Sequence, residues 1–146
     1  METDRRPLIF NAFGLLASIF ILLSGSIIPA AIVDILVQVF GLLLIIWAVV
    51  TIKVNKKNHP HTLPKGYFFF DKGPYEIIRH PIYAGYLLIM ISIVEVEFTF
   101  LRLIALIILC TAVMLKIIRE EYTLTKEIQE YEKYKTKTKA LIPYFL

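Results

Sequence analysis

Cysteine is almost absent from this chain. Cys110 is the only one in 146 residues, so no internal disulfide can form, and its place in an apolar run makes it a small core or lipid-facing side chain. Histidine is scarce too. His59 and His61 lie two apart, with only His80 elsewhere, which gives no Cys/His zinc spacing, and no metal is expected. Charge is thin at 19%, against 58% hydrophobic residues and a mean hydropathy of +0.69. That excludes an ordinary soluble domain, and the length excludes several domains. No basic stretch is interleaved with stacking aromatics, which excludes a nucleic-acid surface. There is no internal repeat, and the last residues, Pro143-Tyr144-Phe145-Leu146, form no prenylation box.

What is present is hydrocarbon-like sequence in four runs, at about 8–23, 30–52, 81–97 and 98–118. An upright helix crosses a bilayer in about 20 residues. The second and fourth runs meet that length, the first is marginal, and the third is short unless it begins at Pro81. Charge alternates between the runs. Arg5 and Arg6 precede the first, and the link Ser24 to Pro29 is uncharged. Lys53, Lys56, Lys57, Lys65, Lys72 and Arg79 follow the second, Glu95, Glu97 and Arg102 separate the last two, and lysines crowd the end. The positive-inside rule then puts both termini and the long middle loop in the cytoplasm. Reading the first run as a cleaved signal peptide would leave three spans and move one end of the charge pattern to the wrong side. The expected fold is an all-α integral membrane protein over 1–146, with about four transmembrane helices and a cytoplasmic C-terminal helix near 119–138. The absence of organelle signals leans towards a prokaryotic inner membrane.

The polar residues gather where helices leave the membrane. The middle loop carries Tyr67-Phe68-Phe69-Phe70, which suit either an interfacial belt or a pocket wall. The stretch Lys72 to Gly85 puts Arg79 and His80 at the mouth of an apolar helix, where charge is costly unless used. Pro81 fits the first position of that helix, and the N–H groups beyond it favour an anion. Farther on, Ile117, Glu121, Leu124, Ile128 and Tyr131 repeat at helical spacing and mark one stripe. Lys116 and Glu120 are four apart and share a face. If the third and fourth helices form an antiparallel hairpin, Arg79-His80 and Glu120-Glu121 become neighbours. A cofactor pocket is therefore expected at the cytoplasmic interface, with cations, a helix N-terminus, carboxylates and aromatic rings. Such an inventory suits a ligand with a carboxylate, an amine, a ring and a cationic centre, as S-adenosyl-L-methionine has, without being unique to it.

These residues also carry a resemblance. Gly73-Pro74-Tyr75, Arg79-His80-Pro81-Ile82-Tyr83 with Gly85, Glu120-Glu121-Tyr122-Thr123-Leu124, Tyr131, Tyr134 and Leu141-Ile142-Pro143 resemble the isoprenylcysteine carboxyl methyltransferase family and related phospholipid methyltransferases. The likeness covers roughly Gly41 to Pro143. It implies S-adenosyl-L-methionine as cofactor, bound by Tyr75, by His80, Pro81, Ile82 and Tyr83, by the loop at Tyr67 to Phe70, and by Glu120. Arg79 joins this set from the charge pattern. The family commonly has an arginine four residues before the first carboxylate, where this chain has Lys116, which keeps the charge but not the bidentate fork. Lys116, Arg119 and Glu121 are the expected catalytic residues: the cations orient an acceptor carboxylate, and Glu121 shares with Glu120 and His80 the taking of a proton from an amine or phenol. The acceptor is expected to be a lipophilic molecule, either an isoprenylcysteine-like carboxylate or a lipid amine. Two other readings stay open: a membrane reductase using a nicotinamide cofactor, and a non-catalytic transporter or scaffold. A transporter more often places its polar groups at mid-membrane.

Overall fold

The computed structural model of the chain describes residues 6–29, 31–58 and 70–142. Each apolar run becomes a helix: α1 (Arg6–Leu23), α2 (Ile32–Asn58), α3 (Pro81–Val96) and α4 (Phe100–Glu127), followed by a short α5 (Gln129–Lys137). A 3-10 turn, Gly73–Glu76, precedes α3. Among the described residues there is no strand, only a parallel bridge between Ile78 and Lys139. α2 and α4 are long and apolar enough to cross a membrane, whereas α1 and α3 carry shorter apolar stretches. At 16 residues, α3 falls below the ~20 of an upright span.

Helix ends follow local chemistry. α3 begins at Pro81, whose fixed φ and missing N–H are no loss there. Thr99 caps α4 by accepting the Arg102 N–H at 3.2 Å. α4 does not stop near residue 118 but runs on to Glu127, because the stripe of Ile117, Glu121 and Leu124 continues without Gly or Pro. The break comes at Ile128, which is extended at φ −132°, ψ 106°.

The expected α3–α4 hairpin is not the main pairing. α3 packs chiefly on α2, and α4 chiefly on α1, with α3 touching α1 and α4 less extensively. Glycine explains the first pair. A Cβ on Gly85 would lie 2.5 Å from the Gly41 carbonyl oxygen, and one on Gly41 would lie 2.7 Å from that of Gly85. The two backbones touch there, as small residues allow between apolar helices. Ala17 and Ile21 of α1, Ile93 of α3, and Leu109, Val113 and Ile117 of α4 form the core. Outward faces are bare and apolar: Leu16, Leu36 and Leu101 are 62%, 62% and 67% exposed, a surface suited to hydrocarbon rather than water.

At the end of the bundle away from α5, Arg102 is fully buried. Its guanidinium donates to the Glu97 carbonyl at 2.6 Å and to the Ile21 carbonyl at 3.1 Å. The Glu97 carboxylate in turn accepts the Ser26 N–H at 2.7 Å. One side chain thus ties the finishing ends of α1 and α3 to the start of α4.

Candidate functional site

Gly73 opens the motif stretch at φ +62°, a left-handed conformation that favours glycine. A Cβ there would also lie 2.8 Å from Thr51 Oγ1 of α2, so conformation and space both require glycine. The 3-10 turn then buries Pro74 and Tyr75. Beyond it the backbone runs alongside the end of the chain. The Arg79 N–H donates to the Lys139 carbonyl at 2.8 Å, and the His80 N–H to the Ala140 carbonyl at 3.0 Å.

A cavity of about 350 Å³ opens beside this stretch. Tyr75, Arg79, His80, Pro81, Ile82 and Tyr83 form one side, and Glu120 and Leu124 of α4 the other. Phe70, Ile52 of α2, and Tyr131 and Tyr134 of α5 complete the wall. Eight of the expected cofactor-binding residues therefore share one cavity: Phe70, Tyr75, Arg79, the run from His80 to Tyr83, and Glu120. Tyr67, Phe68 and Phe69 lie outside the described residues. Among the described residues, no cluster of His, Cys, Asp and Glu could hold a metal ion.

The adjacent carboxylates part company, since successive helical side chains point about 100° apart. Glu120 faces the cavity and is 39% exposed. Its Oε1 accepts the Tyr83 hydroxyl at 2.7 Å, and its Oε2 lies 3.7 Å from His80 Nδ1. The His80 and Tyr83 rings stack at 5.6 Å. Glu121 is 10% exposed and does not line the cavity. It accepts Arg79 Nε at 2.7 Å, lies 3.1 Å from Lys135 Nζ, and sits 3.4 Å from His80 Nε2. Burial works against its charge, but His80, Arg79 and Lys135 outweigh that and hold its pKa down at about 2.

Arg79 differs from expectation in the same way. Its Nε is spent on Glu121, and its Nη1 donates to the Lys135 carbonyl at 3.2 Å and to the Thr138 carbonyl. The guanidinium is therefore fastened to protein groups rather than presented as a bare cation for a ligand carboxylate. Lys116 lies outside the cavity lining and holds its ammonium 5.2 Å from the Tyr83 ring centroid, a cation–π contact. Arg119 is half-buried and also outside the lining, and its carbonyl accepts the Thr123 hydroxyl at 3.0 Å.

Four lining residues were absent from the expected site: Ile52, Leu124, Tyr131 and Tyr134. Leu124 and Tyr131 were visible as members of the helical stripe, which read as packing rather than as a cavity wall. Tyr134 is one turn farther on, and its hydroxyl donates to the Tyr75 carbonyl at 2.6 Å. Ile52 carried no signal. Burial pushes the phenols of Tyr75 and Tyr131 up to about 12, so both stay protonated at neutral pH as rings with a donor. One open carboxylate among aromatic faces suits a cationic ligand that bears a ring.

The model of the isoprenylcysteine carboxyl methyltransferase (ICMT) family matches residues 33–126, which take in α2, the motif stretch, α3 and nearly all of α4. No curated protein and no solved structure matches the chain.

Proposed function

The chain belongs to the isoprenylcysteine carboxyl methyltransferase family, a family of membrane methyltransferases, and we propose that it binds S-adenosyl-L-methionine in the cavity beside the motif stretch and methylates a lipophilic acceptor. The observation that carries this reading is the convergence of His80 to Tyr83 with Glu120, which is 37 residues beyond Tyr83, on one cavity of about 350 Å³. That volume is within the range of small-molecule sites. Glu120 is placed to receive the cofactor's amino group or ribose hydroxyls. Phe70, Tyr75, Tyr131 and Tyr134 offer faces for its ring and its cationic sulfur.

When bound, the cofactor supplies a methyl carbon already activated by positively charged sulfur. The protein's part is alignment and exclusion of water. Tyr83, fixed by Glu120, His80 and Lys116, holds the boundary between the cavity and the apolar faces of the bundle. An isoprenylcysteine-like carboxylate is ionised at neutral pH and needs no base, so Lys116 or Arg119 has only to orient it. A lipid amine needs its proton taken, a role open to Glu120 or His80. Glu121, held by Arg79 and Lys135, is left to brace the wall. The membrane arrangement in this reading is four spans with both termini cytoplasmic, so that the cofactor arrives from water and the acceptor from the bilayer.

Membranes carrying the protein, incubated with methyl-labelled cofactor and extracted with solvent, test the reading. Label in a lipid-phase product, lost in Glu120→Ala, is the expected result. No transfer, with oxidation of added NADPH instead, would favour the reductase.

A further inference from the structure

We propose that Glu121 is a positioning residue that latches a strap, residues 128–140, across the cavity, and that release of this latch sets the rate of cofactor exchange. The proposal rests on the reading that the cavity holds S-adenosyl-L-methionine.

The strap has the build of a moving part. It supplies Tyr131 and Tyr134 to the cavity wall, so the cavity is closed on that side only while the strap is docked. It joins α4 through the non-helical residue Ile128, a break that can absorb a change of direction without moving the four apolar helices. Its own apolar cluster, Ile128, Tyr131 and Tyr134 with Leu124 beside them, is separate from the main core. Ile128, Tyr131 and Tyr134 are nearly inaccessible, so the strap is seated on this small cluster of its own, with only Ala140 reaching the core of the long helices.

Polar contacts add to this: the backbone pairing with residues 77–80, the Tyr134 hydroxyl on the Tyr75 carbonyl, and a set of charged side chains centred on one carboxylate. Glu121 meets Arg79 and His80 from the motif stretch and Lys135 from the strap. Arg79 then reaches the strap directly, through the carbonyls of Lys135 and Thr138. Without the Glu121 charge, Arg79 and Lys135 lose the anion they share, and the guanidinium loses the contact that aims it at the strap carbonyls. Glu120 has no such position. Its partners, Tyr83 and His80, both belong to the motif side. The adjacent carboxylates thus divide the work: Glu120 faces the ligand, and Glu121 closes the wall behind it.

The test uses the full chain in detergent, in a Cys110→Ser background. Three readouts are equilibrium binding of labelled S-adenosyl-L-methionine, its release rate into excess unlabelled cofactor, and the rate of tryptic cleavage after Lys133 and Lys137. Glu121→Gln should release cofactor at least tenfold faster and be cut faster in the strap. Should that variant not fold, Lys135→Met removes the strap's side of the same contact and should shift both rates in the same direction. A second arm joins the parallel bridge partners with Ile78→Cys and Lys139→Cys, whose backbones pair directly. Oxidation should slow release, even with Glu121→Gln present, and thiol reductant should restore it. Unchanged release and unchanged cleavage in Glu121→Gln would overturn the latch, as would fast release from the cross-linked protein. A wild-type protein that binds no cofactor overturns the functional reading and the exchange rate with it. In that event the strap cleavage of Glu121→Gln still decides whether Glu121 latches the strap.

Discussion

Two buried arginines stand at opposite ends of this bundle, and they do different things. Arg102 is wholly enclosed and donates to two helix-end carbonyls. Arg79 has a side chain only 8% exposed and likewise donates to carbonyls, but it also grips Glu121 and forms part of a cavity wall. A charge buried in an apolar chain is often read as a sign of function. The comparison shows that burial and pairing alone do not distinguish a staple from a site. What distinguishes them is the surroundings: Arg102 sits among helix-end carbonyls with the Glu97 carboxylate nearby, whereas Arg79 has beyond its own carboxylate partner a second one, a stacked His80–Tyr83 pair and open volume.

The largest effect should come from removing the staple. Arg102→Leu leaves the Glu97 and Ile21 carbonyls without their donor in a closed interior, and should cost ~3 kcal/mol of stability, read as a lower unfolding temperature in detergent. The fraction that stays folded should bind S-adenosyl-L-methionine as the parent does. Loss of binding from a folded variant would show that the two ends are coupled. Glu120→Gln should do the reverse at the other end. Its unfolding temperature should hardly move, while cofactor affinity falls about tenfold, equivalent to ~1.4 kcal/mol, in calorimetric titration. Tyr134→Phe removes the hydrogen bond to the Tyr75 carbonyl and should cost ~1 kcal/mol, expressed as faster hydrogen exchange in α5 with little change at the Arg102 end.

The smallest effect is invisible at neutral pH. Glu121 has its pKa lowered from 4.5 to about 2 in the fold, so its contribution is fully present above about 4.5 and is lost as pH falls from there through 2. Exchange at the Arg79, His80 and Lys139 amides, corrected for the intrinsic pH dependence, should therefore stay slow down to about pH 5 and rise below it. In Glu121→Gln that rise should be missing. A rise of equal size at the Arg102 end would mean global acid unfolding rather than loss of one contact.

Hydropathy made the helices legible, because each apolar run is bounded by charge or by Pro and Gly. Pro81 marked the start of α3 for the same reason. The stripe through Ile117, Glu121, Leu124, Ile128 and Tyr131 correctly picked a buried face, since all but Leu124 are nearly inaccessible. It also drew attention to Glu121 as the functional carboxylate, when the neighbour pointing off that stripe is the one in the cavity. Helix pairing was not legible. It depends on Gly41 meeting Gly85, two residues far apart in sequence with no shared periodicity. The docking of the chain's end was hidden likewise, because the three backbone hydrogen bonds between residues 77–80 and 139–140 leave no mark in side-chain pattern. The ring of aromatics around the cavity was half-visible in the resemblance, through Tyr75, Tyr131 and Tyr134, but only the fold gave it a common space.

The central claim is that the cavity joining the motif stretch to Glu120 is a cofactor site. Isothermal titration of the detergent-purified protein with S-adenosyl-L-methionine tests it most directly. The account predicts saturable binding at one site per chain, weakened by Glu120→Gln and untouched by Lys53→Ala, a substitution outside the cavity lining. No heat of binding, or binding that both variants leave equal to the parent, would contradict it.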